Sequence, residues 1–322
     1  MEDQEFHCAY VRRESDQMSE TAVSNCLSPV VPVARHVDIF CSASVTEQGN
    51  VETLLIPSLA RASGGISIHL HLVDYTGTNR LAISSTDEVA VSVHQSEKQL
   101  GFGAAHNFLF ARVKPAAFFV IINPDIYCSK GLVENLLQAG EEGRDIGIVE
   151  ARQLPYAHPK GYDRKTMETT WASGACMLVC PEFYAEVGGF DEAFWMYCED
   201  VELSWRCWLS GYRVIHCPRA VAYHYTGGYF EYRDDRFYCE QLWGGVNFLY
   251  RSYRYWGSLR LWRSVVALKL QGWPKPLVKR ILREFKARKR AYSRAAGFPR
   301  SLSSQRDRIG IIGYNRYKEA GK

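Results

Sequence analysis

The run Phe118–Asp125, FFVIINPD, decides the fold. Phe118 to Ile122 are five apolar residues without alternation, as in a strand of a parallel sheet that is covered on both faces. The run stops at Asn123-Pro124-Asp125, where a proline fixes the backbone and polar side chains flank it. In a doubly wound sheet ligands gather at the carboxyl ends of the strands, and Asp125 falls at such an end.

Outward from this strand the chain alternates. Upstream, His36–Ser42 (HVDIFCS) reads as a strand. Asn50–Ala62 carries Val51, Leu54, Leu55, Leu59 and Ala62 at helical spacing, with Pro57 as a source of a kink. Ile66–Val73 reads as a strand ending at Asp74, and Val89–His94 as another. QLGFGAAHNFLFARV then turns on glycines into a helix. Downstream, Leu132–Ala139 is helical and Ile146–Val149 a strand. The expectation is an α/β fold with a mostly parallel, Rossmann-like central sheet and flanking helices. Past residue 150 come a polar segment, Trp171-Ala172-Ser173-Gly174-Ala175, the strand-like CMLVC, and a helix opening at Glu199 or Asp200 and stopping at Gly211. Tyr212–Cys217 and AVAYHYTGG follow.

Composition bounds the class. Hydrophobic residues at 47% and charged residues at 23% of 322 are those of a soluble globular protein. No apolar run reaches the roughly 20 residues of a membrane-spanning helix. The N-terminus lacks the apolar core of a secretory signal, so a cytoplasmic location is expected. Ten cysteines without a CxxC pair read as reduced, packed thiols.

The net charge of +4 hides an asymmetry: residues 251–322 hold 20 Lys/Arg and three acids, whereas 1–250 hold 19 basic and 32 acidic residues. A basic region interleaved with Trp256, Trp262, Trp273 and Phe285 fits an anionic membrane surface better than nucleic acid. The plain alternative is a solvated helix face, or an arm neutralising the acidic body.

Several residues offer chemistry. Asp74 and Asp125 end strands of one sheet, where a nucleotide and its cation would sit; taken singly, each is also an ordinary turn residue. Gly101-Phe102-Gly103 gives GxG, but His106 stands where a dinucleotide fingerprint needs its third glycine. Small residues from Gly103 still allow close approach of a ligand, with Asn107 offering an amide. His224 suits a manganese-like ion if Asp125 marks a metal site, and is otherwise structural. Glu199 and Asp200 at a helix start satisfy free N–H groups, or one of them serves as a general base. Neighbours on a helix point about 100° apart, so the two have different tasks. Glu202 and Arg206 form an i, i+4 pair.

In order, VDYTG, QLGFGAAHN, INPD, WASGACML, VGGFDEAFWMYCEDVELSWRCWLSGYRV and AVAYHYTGG resemble the inverting family 2 glycosyltransferases with a GT-A fold, in their rhamnosyltransferase-like and galactofuranosyltransferase-like branch. The resemblance spans roughly residues 36–230. The chain then divides into a lead-in over 1–34 that lacks periodicity, a catalytic domain over 35–240 with a nucleotide-sugar half (35–130) and an acceptor half (150–240), and a basic, aromatic-rich helical region over 241–322 marked by its charge.

The resemblance implies Asp200 as the catalytic base, with Glu199, Trp171, Ser173 and Gly174 at the acceptor. Asp74, Gly103, Asn107 and Asn123 would meet the nucleotide-sugar, and Asp125 and His224 would hold Mg2+ or Mn2+. Asn123 replaces the first acid of the family's DXD motif, as is common in this branch; two departures are Gln99, where the family usually has an asparagine ahead of Gly-Phe, and FCSASV, which ends the first strand in place of threonine-tyrosine-asparagine. The implied activity moves a sugar, foremost L-rhamnose from dTDP-rhamnose, otherwise from a dTDP- or UDP-sugar, to a lipid-linked saccharide acceptor. Its setting would be cell-surface polysaccharide such as O-antigen, made at the inner face of the membrane. The rivals are a sugar nucleotidyltransferase, which needs no acceptor base, and a non-enzymatic nucleic-acid-binding or scaffold protein.

Overall fold

The computed structural model describes residues 36–78, 80–155, 158, 160–224, 234–270, 272–289 and 292. The lead-in over 1–34, residues 225–228 of the AVAYHYTGG motif and the basic residues from 293 onward lie outside them.

Strand β1 (His36–Ala43) leads through a 3-10 turn (Val45–Glu47) into α1 (Gln48–Asn50) and α2 (Ile56–Ala62). A wide π turn, Val51–Leu55, joins these helices directly ahead of Pro57. The proline expected to kink a helix is accommodated by that turn, because it has no N–H to donate to the preceding one.

Next come β2 (Ser67–Asp74), β3 (Val89–Gln95), α3 (Phe102–Val113), β4 (Phe119–Ile122), β5 (Ile126–Cys128), α4 (Leu132–Glu141) and β6 (Ile146–Leu154). They are followed by β7 (Cys176–Val179), α5 (Pro181–Glu186), α6 (Glu199–Leu209), β8 (Arg213–His224), α7 (Asp234–Leu270) and α8 (Lys275–Arg288). β5 and α5 are too short for periodicity to reveal, and the two apolar stretches expected after Gly211 form one bulged strand, β8.

The eight strands form one sheet in the order β3-β2-β1-β4-β7-β6-β8-β5. β7 and β5 run against the others, so the sheet is mostly parallel. This is the α/β architecture, with a helical C-terminal region, that the motif series implies.

β4 is the buried centre that its sequence predicts. Val120 and Ile122 join Leu55, Leu59 and Leu136 on one face, while Phe119 and Ile121 join Leu109, Phe183 and Leu203 on the other. The eight described cysteines are free thiols, and six of them are buried.

The drawn boundary at 240 falls inside α7. This helix breaks at Gly257 (φ 75°, ψ −164°), a conformation that strains any side-chain-bearing residue. Its first part packs Leu242, Val246, Leu249 and Tyr250 against Phe194 and against Leu277, Ile281 and Phe285 of α8. The start of the basic region is therefore core. Arg254 meets Asp191 at 2.9 Å and Glu202 at 3.2 Å, neutralising the body as the plain alternative has it. Lys275, Lys279, Arg283 and Lys286 of α8 are exposed.

Candidate active site

Three predicted residues converge at the carboxyl end of β4. Asn123 closes that strand, its N–H donating to the Ala175 carbonyl at 2.9 Å. β5 pairs with the end of β8 so that Ile126 faces His224. This register brings His224 Nε2 to 3.4 Å from Asp125 Oδ1 and 3.4 Å from Asn123 Nδ2. Gln153 Oε1 lies 3.2 Å from the other ring nitrogen, Nδ1. With Nδ1–H donating to Gln153, Nε2 keeps its lone pair towards Asp125. The sequence did not single out Gln153: it lies on the part of β6 beyond Val149, where no strand was expected.

A carboxylate and an imidazole, both part-exposed and converging on one point, are a donor set that fits a Mg2+ or Mn2+ ion. Asn123, at the same point, contributes a neutral amide.

Asp200 stands on the other side of the loop Trp171–Ala175. Gly174 N–H donates to Asp200 Oδ2 at 3.0 Å and Val201 N–H to Oδ1 at 2.8 Å. The loop thus links the two groups: Ala175 binds Asn123 while Gly174 binds Asp200. Gly174 keeps the loop close to its neighbours: a Cβ there would sit 3.0 Å from the Phe102 ring, tight enough that the ring would have to give. Ser204 Oγ ties the loop further by accepting Ala172 N–H at 3.0 Å.

The helix start is held under strain. Tyr197 (φ 68°) and Cys198 (φ 66°) are consecutive left-handed residues without being glycine, each costing about 1–2 kcal/mol. Asn247 of α7 latches them, donating Nδ2–H to the carbonyls of Met196 (2.7 Å) and Tyr197 (2.6 Å). Glu202, one turn along, is wholly buried and carries the expected Arg206 pair (Nε to Oε2, 2.9 Å) together with Arg254 and the Tyr255 hydroxyl.

Beneath the loop lies a buried ion pair that the sequence did not show. Glu150 accepts from Lys160 Nζ (2.6 Å), Ser173 N–H (2.9 Å) and His216 Nδ1 (3.1 Å). Burial alone would push this carboxyl up; the Lys160 charge and the His216 and Lys160 hydrogen bonds outweigh it and hold it down at about 2. Lys160 also donates to the Trp171 carbonyl and lies over its ring.

Other predicted residues take different tasks. Asn107 was expected at the nucleotide-sugar, but its amide is consumed within the protein. Oδ1 accepts from Tyr184 (2.7 Å) and Phe190 N–H (2.8 Å), and Nδ2 donates to the Phe190 carbonyl and Glu192. Gly103 makes room for Phe190, whose Cβ would be 2.6 Å from an added Cβ, rather than for a phosphate. Trp171 and Ser173, expected at the acceptor, are 2% and 4% exposed and support the loop from within. Glu199 is also buried. Phe194, from the aromatic run ahead of the acids, packs on α7.

Asp74 is fully buried, with Oδ1 on Thr76 N–H (3.0 Å) and Oδ2 on Arg80 N–H (2.9 Å). Burial raises its carboxyl, but the hydrogen bond from the Thr76 hydroxyl, with those from the Thr76, Arg80 and Leu81 N–H groups, outweighs it and leaves it below the usual range. It shapes the loop after β2.

No family model matches the chain. A curated protein of Mycobacterium tuberculosis, N-acetylglucosaminyl-diphospho-decaprenol L-rhamnosyltransferase, is 26% identical over 39% of this chain and 56% of its own length. Rhamnosyltransferase WbbL of Escherichia coli K12 is 42% identical over 17% of this chain and 21% of its own. Both of these relatives are rhamnosyltransferases by name. The resemblance read from the motifs therefore holds, and the chain spans just over half the length of the mycobacterial rhamnosyltransferase. Among solved structures, a mannosyltransferase from Pyrobaculum calidifontis in complex with GDP-Man and Mn2+ has a TM-score of 0.49 at 14% identity, over 85% of this chain and 84% of that one. Residues 1–349 of Staphylococcus aureus TarS give 0.48 at 14%, over 85% and 77%.

Proposed function

We propose that this chain is a metal-dependent, inverting glycosyltransferase that moves a sugar, foremost L-rhamnose from dTDP-rhamnose, to a saccharide acceptor on a lipid carrier. The observation that carries the reading is the meeting of Asp125, His224 and Asn123 at one strand end, joined through Gly174-Ala175 to Asp200. The rhamnosyltransferase relatives support the sugar, and the decaprenol-linked substrate named for one of them supports the lipid carrier.

In this mechanism Asp125 and His224 would hold the cation, and Gln153 orients the imidazole. When bound, the ion supplies positive charge to the departing diphosphate. Asp200 takes the proton from the acceptor hydroxyl as that oxygen attacks the anomeric carbon from the face opposite the leaving group. The Gly174 and Val201 N–H groups aim its two oxygens, and the Glu150–Lys160 pair keeps the loop carrying Gly174 in place. A panel of nucleotide sugars with Mg2+ or Mn2+, read by release of nucleoside diphosphate, tests the reading. Turnover of a dTDP- or UDP-sugar that stops on adding EDTA is expected; no binding and no turnover of any sugar nucleotide would overturn it.

The acceptor's carrier places the work at a membrane surface, for which the second part of α7 is suited. Leu259, Trp262 and Leu270 are 66%, 63% and 79% exposed, with Val266 part-exposed between them, and they recur at 3, 4 and 4 residues on one helix face. Exposed Arg263 and Lys269 flank them. An apolar ridge bordered by cations is the composition of an interfacial helix. Among the described residues no helix is long and apolar enough to cross a membrane.

A further inference from the structure

The pairing of β1 with β2 sets Asp38 beside His69, and that of β2 with β3 sets His71 beside Ser92 and Val73 beside His94. Alternation then places His36, Asp38, His69, His71, Ser92 and His94 on one sheet face. Asp38 is the hub: its Oδ1 lies 3.2 Å from His36 Nε2 and 3.0 Å from His71 Nε2. His71 Nδ1 lies 3.2 Å from His94 Nε2, and His69 Nε2 lies 2.8 Å from Ser92 Oγ.

Ligand atoms of His36, Asp38 and His69 all fall within 4.8 Å of one another. Zinc bonds of 2.0–2.1 Å in a tetrahedron set ligand atoms about 3.3 Å apart, so the His36–Asp38 edge already has the needed length. His71 and Ser92 supply the outer hydrogen bonds that orient a ligating carboxylate and imidazole. His36 is exposed and Asp38 and His69 part-exposed, which gives an ion a way in and a place for a water as fourth ligand.

We propose that His36, Asp38 and His69 form a second divalent-metal site, for a borderline ion of the zinc class, at the end of the sheet where the strands begin. It stands apart from the proposed sugar-donor site. Asp38 precedes the end of β1 by five residues, about 16 Å along the strand, and an oxygen-preferring Mg2+ suits Asp125 better than a His-rich set. A bound ion would pin β1 to β2, independently of whether the chain transfers sugar.

Co2+ is the probe, because tetrahedral Co2+ absorbs strongly in the visible. Full-length protein carrying Asp125→Asn, which disables the proposed donor site, should bind one Co2+ with such a spectrum, and added Zn2+ should displace it. His36→Gln or His69→Gln in the same background should weaken binding at least about tenfold. With the donor site intact, His36→Gln should leave Mn2+-supported turnover unchanged. His36 is a surface residue, so its substitution keeps the fold; for the wild-type chain, Zn2+ should raise the unfolding temperature, and for His36→Gln it should not. Absence of tetrahedral Co2+ absorption at micromolar metal, or affinity untouched by both histidine substitutions, would overturn the site.

Discussion

Asp200 receives two backbone N–H groups and leads to Asn123 through one two-residue link, so its charge and its position are separable by substitution. Asp200→Asn keeps the size and loses the base. Turnover should fall about 10²–10⁴-fold while affinity for the sugar nucleotide, measured by calorimetry, stays within a few-fold. Gln153→Ala acts one shell out: it frees the His224 ring, and the metal concentration for half-maximal turnover should rise about 10–100-fold. Glu150 gives a pH prediction. Its folded value of about 2 lies below the ordinary 4.5, so the unfolded chain takes up the proton first. The stabilisation is then complete above about pH 4.5 and is lost as pH falls towards 2. Urea midpoints between pH 5 and 2.5 should drop steeply for the wild type and less for Glu150→Gln.

At the scale of elements, α7 does two things on either side of Gly257. Its first part latches the strained turn ahead of α6 through Asn247, so Asn247→Ala should lower the unfolding temperature and turnover together. Its second part carries the ridge Leu259, Trp262 and Leu270. Replacing all three with serine should leave the circular dichroism and turnover on a water-soluble acceptor unchanged and abolish sedimentation with anionic vesicles; unchanged sedimentation would remove the membrane role from this helix. α4 and α6 were legible from their helical period, and β4 from its unbroken apolar run closed by Asn123-Pro124-Asp125. β5 and α5 were not, because three and six residues carry less than two turns of any period. The integral role of α7 was hidden for another reason: its Arg254 reads as surface charge until Glu202 and Asp191 are seen beside it.

For the whole molecule, the strand order brings distant motifs to one edge: INPD after β4, WASGA before β7, the acids of α6 and the histidine ending β8. The sequence showed their order, and the sheet shows which of them meet. Asp125, Asn123, His224 and Asp200 stood out as candidates because each is a charge, an amide or an imidazole at a strand or helix end, and the contacts join them. The tasks of Asn107, Gly103, Trp171 and Ser173 were not, since an amide, a glycine or a buried indole has the same letter whether it faces a ligand or a neighbouring loop. The central claim is that Asp200 and the Asp125–His224 pair serve one sugar transfer. Its most direct test is single-turnover transfer from a turned-over sugar nucleotide to a lipid-linked saccharide, followed by mass for the wild type, Asp200→Asn and Asp125→Asn with Mn2+. Glycosylated product is expected from the wild type alone, with Asp200→Asn still binding the sugar nucleotide and Asp125→Asn failing to bind it with metal. Equal product from Asp200→Asn would contradict the claim.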